Sequence, residues 1–299
     1  MALRKGLLLV REYETDWMGA RHGPFGGVAD RMKHESLALH GSETANRAIR
    51  RVISWAAIAL GPYMTARISQ ELASRRGVDA WVQFAFDPKV AIRPVLFRVL
   101  FSLRPHQRPA EILQLLRLLA PERPRRVLEV GSAAGGTLFL FARASAPDAL
   151  LIGMDLAPRH GGGLSNWRAA FFEKTFPLPP QIVRVVRGDS HDRATVARVR
   201  ETLANEPLDF LFIDGDHSYN GVRLDFELYS PLVRTGGLIA LHDIMPDSLH
   251  RCGRRTIADT GDVPRFWSEL VGRHRTDHEI IEIVENPDQD GFGIGVLRA

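Results

Sequence analysis

From Arg125 to the end of the chain, short and nearly continuous apolar runs alternate with helix-forming segments. No other feature of the sequence constrains the fold as much. The runs fall at 127–130, 150–154, 182–186, 210–213 and 238–241. Between or after them, helical patterning covers 137–145, 191–203, 219–233 and 266–271. A strand apolar along its whole length is buried on both sides, so this alternation predicts a parallel sheet with helices on each face. Two last strands are expected at 279–284 and 292–297, joined by a turn around Asn286, Pro287 and Asp288. So short a connection makes them antiparallel partners.

The expected fold class is therefore α/β. It is a Rossmann-like, seven-stranded, mostly parallel sheet with an antiparallel last strand, preceded by a helical N-terminal extension. We divide the chain into an extension over 1–106 and a catalytic-type domain over 107–299. Within the extension, Gly19, Gly23, Pro24, Gly26 and Gly27 make 1–45 irregular. Residues 46–76 read as helical, interrupted at Gly61-Pro62, and 78–106 are ambiguous. Pro109 opens a helix with Ile112, Leu113, Leu115, Leu116 and Leu119 on its buried side, ended by Pro121 and Pro124.

Composition excludes several classes. The single cysteine, Cys252, rules out an internal disulfide and a thiolate zinc cluster. The longest apolar stretch, 52–64, is short of the roughly 20 residues a membrane span needs. The run after Arg4 and Lys5 is too short for a signal peptide, so a cytoplasmic protein is expected. The net charge is +4, and the basic surplus lies early: residues 1–108 hold 17 Lys and Arg against 9 Asp and Glu. Such an arm suits RNA or anionic lipid, or is simply an arginine-rich solvated surface.

Ligands of parallel sheets bind beyond the carboxyl ends of the strands, and the informative residues fall there. Glu129, Gly131, Ser132, Ala133, Gly135, Gly136 and Thr137 span the turn from the first strand into its helix. Glycines let a ligand approach the backbone, and the helix start offers free N–H groups. Dinucleotide turns share this design, but their second glycine is Ala133 here. Asp155 ends the second strand, where a carboxylate can accept two ribose hydroxyls. Asp189 and Ser190 follow the third. Each acid alone also reads as a helix cap.

The turn resembles the first motif of class I methyltransferases. The stretches Phe212-Ile213-Asp214-Gly215-Asp216-His217-Ser218-Tyr219 and Gly236-Gly237-Leu238-Ile239-Ala240-Leu241-His242-Asp243 are similar to the methyltransferase 24 family and its metal-dependent sugar O-methyltransferase relatives. The resemblance covers about 190 residues. It implies S-adenosyl-L-methionine as cofactor, with Asp189 near the adenine. It also implies a divalent cation (magnesium or manganese) on Asp214, His242 and Asp243, with His217 as general base. Asp216 competes as ligand or base. Where those relatives carry an acid this chain has His242, and imidazole suits transition metals better than magnesium.

The implied reaction is methylation of a hydroxyl on a small molecule, a sugar or a secondary metabolite. The alternatives are methylation of RNA through the basic N-terminal region, or a non-catalytic domain binding a partner. No Asn/Asp-Pro-Pro-aromatic tetrapeptide of the amino-group methylases is present. A homo-oligomer is left open. The loop of His160, Gly161, Gly162 and Gly163 with Trp167 either covers the acceptor or is merely flexible. Tyr219 and Trp267 read as packing residues, and His250 and Cys252 carry no functional signal.

Overall fold

A computed structural model of the chain describes residues 76–86, 105–157, 163–256, 258–274 and 279–299. The irregular segment read over 1–45, all but the last residue of the helix read over 46–76 and the loop at His160, Gly161 and Gly162 lie outside them, as does the side chain of Trp167. In chain order the elements are α1 (Val78–Phe86), α2 (Pro109–Glu122), β1 (Arg126–Val130), α3 (Gly136–Ala144), β2 (Leu150–Asp155) and α4 (Asn166–Thr175). Then come β3 (Ile182–Arg187), α5 (Arg193–Thr202), β4 (Leu208–Ile213), α6 (Tyr219–Tyr229) and β5 (Val233–His242). The chain closes with α7 (Ser248–Cys252), α8 (Val263–His274), β6 (Ile280–Ile283) and β7 (Ile294–Arg298).

The seven strands form one sheet in the order β3-β2-β1-β4-β5-β7-β6. Strands β1 to β5 are parallel, and β7 alone runs against its neighbours on both sides. The fold is the expected one. Strand order reverses between β1 and β4, and a crevice opens at such a switch point.

Side chains along a strand alternate between faces. Val127, Phe210, Phe212, Leu238 and Ala240 point into one core layer, with Phe84 of α1, Ile112 and Leu115 of α2, Phe139 and Phe141 of α3 and Phe172 of α4. Leu128, Val130, Leu211, Ile213, Ile239 and Leu241 point into the other, against Val199 of α5, Tyr229 of α6 and Phe266 and Trp267 of α8. The same parity puts Glu129 and His242 on the first face, near the carboxyl ends of β1 and β5. Register does the rest: Glu129 pairs with Phe212, and Phe212 with Ala240. Polar groups spaced widely along the chain therefore meet at one end of the sheet.

Three helices differ most from expectation. The helix read to 233 stops at Tyr229, and Ser230–Leu232 tightens into a 3-10 turn before β5. Pro231 explains the break, because it has no N–H to continue the helix. Pro121 does not end α2, which runs to Glu122 and closes on a left-handed Arg123. Helix α4 at Asn166–Thr175 has no counterpart in the sequence pattern, because its apolar residues spread around the helix instead of forming a stripe. Trp267 is 3% exposed, as a packing residue should be. Its indole N–H donates to Glu282.

Candidate active site

The turn after β1 is shaped by close approach. Gly131 has φ +88, and a Cβ there would collide with the carbonyl of Asp214. Gly135 has φ +82, and a Cβ would strike the ring of Phe172. Only glycine fits both demands at each position. Gly135 precedes the first turn of α3, where Gly136 and Thr137 are buried and no side chain among the described residues caps the helix start. Buried N–H groups at an uncapped helix start call for a ligand. Below them Glu129 is fully buried. Burial pushes its carboxyl up to about 8, the hydroxyls of Thr137 and Ser132 pull down, and Asp214 and Asp155 push up.

Asp155 stands at the end of β2 beside this turn. Its Oδ2 accepts from Ala133 N at 2.7 Å and its Oδ1 from Leu156 N at 2.7 Å. Burial raises its pKa against these two hydrogen bonds. The chain after β3 comes alongside, since Gly188 N donates to Asp155 O at 2.9 Å. Asp189 then accepts from His191 N at 2.9 Å, so its carboxylate also shapes its own turn. The carbonyl of Ser190 accepts from Tyr229 OH at 2.7 Å. The glycine turn, Asp155 and the turn of Asp189 and Ser190 thus follow neighbouring strands β1, β2 and β3 at one end of the sheet.

The second cluster lies at the ends of β4 and β5. Nδ1 of His242 is 3.2 Å from Oδ1 of Asp214 and 3.2 Å from Oδ2 of Asp243. Nε2 of His217 is 3.5 Å from each of the same two oxygens. Two imidazoles and two carboxylates therefore face one gap. Burial pushes the Asp214 carboxyl up, but the His242 charge and the hydrogen bonds from both histidines hold it far below the carboxylate range. For His242 burial acts downward and the charges of Asp243 and Asp214 prevail, raising it well above its ordinary value. For His217 burial again acts downward, while Asp214, Asp243 and the Asp259 carbonyl raise it to about 9.

One donor atom each from Asp214, His217 and Asp243 lies within 4.8 Å of the others. A set of carboxylate oxygens and imidazole nitrogens fits a borderline divalent ion, manganese, iron or zinc, better than magnesium. His217, read as the base, is thus also part of the donor group. Asp216 turns away: its Oδ1 accepts from Ser218 N at 2.8 Å at the start of α6. Backbone strain gathers here, with positive φ at Ala133 (41), Asp243 (63) and Phe292 (62), as happens where surroundings hold a functional geometry.

Several residues of the site went unread in the sequence. Gln107 donates through Nε2 to Oδ2 of Asp214 at 2.7 Å. The Phe292 ring lies 6.1 Å from that of His242 and carries the Arg108 guanidinium 5.0 Å from its centre. Fully buried Asp225 sits 3.2 Å from His191, between the turn after β3 and the loop after β4. Contacts of such long separation leave no mark in local pattern.

The chain is similar to known proteins. The methyltransferase 24 family, described as a methyltransferase domain, matches residues 128–244. A catechol O-methyltransferase of Mycobacterium tuberculosis is 25% identical over 181 residues, 58% of this chain and 72% of that protein. Among solved structures, the O-methyltransferase from Bacillus cereus in complex with SAH aligns with a TM-score of 0.49 at 16% identity, over 80% of this chain and 100% of the other. The O-methyltransferase TomG of Streptomyces achromogenes, in complex with SAM, aligns with a TM-score of 0.44 at 20% identity, over 76% and 92% of the two chains. Residues 128–244 of this chain are a methyltransferase domain by their match to that family.

Proposed function

We propose that this domain methylates a hydroxyl of a small molecule, with a divalent cation at Asp214 and Asp243 and with His217 as the base. The observation that carries the proposal is the convergence of His217 and His242 on the same two carboxylate oxygens, at the same end of the sheet as Gly131 and Asp155. The hydroxyl acceptor is further supported by the relative named for catechol. The uncapped start of α3 and the carboxylate of Asp155 suit the carboxylate and ribose ends of S-adenosylmethionine.

S-adenosylmethionine supplies a methyl group on a sulfonium sulfur. A divalent cation, when bound, lowers the pKa of a hydroxyl and orients it. The residues of the chain do the rest. Asp155 and the glycine turn hold the donor, and Asp214, Asp243 and His242 fix the place of the acceptor oxygen. With the methyl donor bound, the oxygen–carbon bond would form as the carbon–sulfur bond broke, its electron pair leaving with sulfur, and Nε2 of His217 would take the hydroxyl proton. Unshared, the charges of Asp214 and Asp243 keep His217 protonated at neutral pH. Shared with a cation, they release it toward the range of a base, so the two roles require each other.

Calorimetric titration with S-adenosylmethionine, in chelator and then with magnesium or manganese, tests the reading. Binding in chelator, weakened roughly tenfold or more by Asp155→Ala, is expected. Turnover on catechol and on sugar hydroxyls is expected to need the metal. Folded protein that binds no S-adenosylmethionine would sink the proposal, and metal-independent turnover would sink its cation part.

A further inference from the structure

We propose that Gln107 is a positioning residue for Asp214, held in place by a latch built on Glu111. The inference rests on the proposed role of Asp214. Gln107 is 5% exposed, and its amide group donates to Oδ2 of Asp214 at 2.7 Å. A carboxylate only accepts, so the nitrogen end of the amide must face it. With Oδ2 engaged, Oδ1 is left to face His217 and His242. Gln107 therefore fixes the rotation of one of the two carboxylates that both imidazoles share.

Gln107 lies before α2, and the chain is pinned there from the far end of the sequence. Glu111, in the first turn of α2, is fully buried. Its Oε1 accepts from Gln289 Nε2 at 2.7 Å and from Glu285 N at 3.3 Å, and its Oε2 accepts from Gly293 N at 3.0 Å. Arg108 adds a 3.0 Å ion pair to Glu285 and lies over Phe292. The 285–293 loop so held returns the contact: Phe292 sits against His242, and its carbonyl accepts from Met245 N at 2.9 Å. One buried carboxyl thus aligns both neighbours of the cluster, Gln107 on Asp214 and Phe292 on His242. Partners of this kind around a metal or base cluster set its affinity about ten- to a hundredfold.

The test uses Gln107→Leu, Glu111→Gln and the double variant in the full chain. It reads S-adenosylmethionine affinity by calorimetry, manganese affinity by electron paramagnetic resonance, and the ring 15N–1H signals of His217 and His242. In Glu111→Gln an amide N–H2 meets donors that the carboxyl accepted. The expected result is unchanged S-adenosylmethionine affinity, manganese weakened about tenfold, and both ring signals displaced. The double variant should be no worse than the more damaged single one, since both act through one contact. Should Glu111→Gln fail to fold, Gln107→Leu decides. Folded Gln107→Leu with wild-type ring signals would overturn the proposal, whatever manganese does. Wild-type protein that binds S-adenosylmethionine but no manganese would overturn the cation reading instead, and the ring signals would still decide the role of Gln107.

Discussion

Nδ1 of His217 lies 2.6 Å from the backbone carbonyl of Asp259, forty-two residues away. A carbonyl can only accept, so this nitrogen carries a hydrogen and Nε2 is the one left to exchange a proton. Nε2 is also the atom aimed at Asp214 and Asp243. The loop that carries Asp259 therefore chooses the tautomer of His217.

His217→Gln keeps a polar side chain but no titratable nitrogen. It is expected to lower kcat by about 10²–10⁴ while S-adenosylmethionine affinity stays the same. Steady-state methyl transfer and calorimetry on the same preparation check this. A kcat within error of wild type would remove His217 from the chemistry.

Gly261 lies against the backbone of the same histidine. It has φ +51, and a Cβ there would collide with the carbonyl of His217. Asp262 N donates to that carbonyl at 2.7 Å. Gly261→Ala is expected to cost about 1–3 kcal/mol in denaturant unfolding through backbone strain alone. Pushed from its place, His217 should also lose rate. An alanine variant of undiminished kcat would show that the ring tolerates the shift.

If the cluster holds a cation as proposed, His242 is expected to set which ion it prefers. Its Nδ1 is 3.2 Å from an oxygen of each carboxylate, so with its proton displaced by an ion it would bring nitrogen where a third oxygen would suit a hard ion. His242→Glu is expected to move preference from manganese or zinc toward magnesium. Competition of magnesium against bound manganese, followed by paramagnetic resonance, gives the ratio in both proteins. An unchanged ratio would mean that His242 is not a ligand.

The sheet was legible because period-two burial and continuous apolar strands are local signals. Strand ends place Gly131, Asp155, Asp214 and His242 at one end of the sheet. What the sequence hid has two physical causes. Helix α4 buries Phe171 and Phe172 without an apolar stripe, so its period is invisible. Gln107 and Phe292 reach the site through contacts to residues at least fifty positions away, which no window can hold. Glu111 did leave a trace, since it is an acid on the stripe of Leu115 and Leu119. A carboxyl on a buried stripe signals partners elsewhere.

Glu129 gives a pH dependence whose sign follows from burial. Its carboxyl rises from an ordinary 4.5 to about 8 because the folded chain removes it from water. The folded state therefore holds a proton that the unfolded state releases. The stability linked to this group is fully present below about pH 4.5, and it is lost as pH rises toward 8. Glu129→Gln keeps the shape and never ionises, so it escapes that loss. In cofactor-free protein the glutamine variant should melt above wild type at pH 8 to 9, by a margin that shrinks toward pH 5. Thermal unfolding across that range measures it. A margin independent of pH would show that Glu129 ionises as freely in the folded chain as in the unfolded one, and that the space beneath the glycine turn is wet.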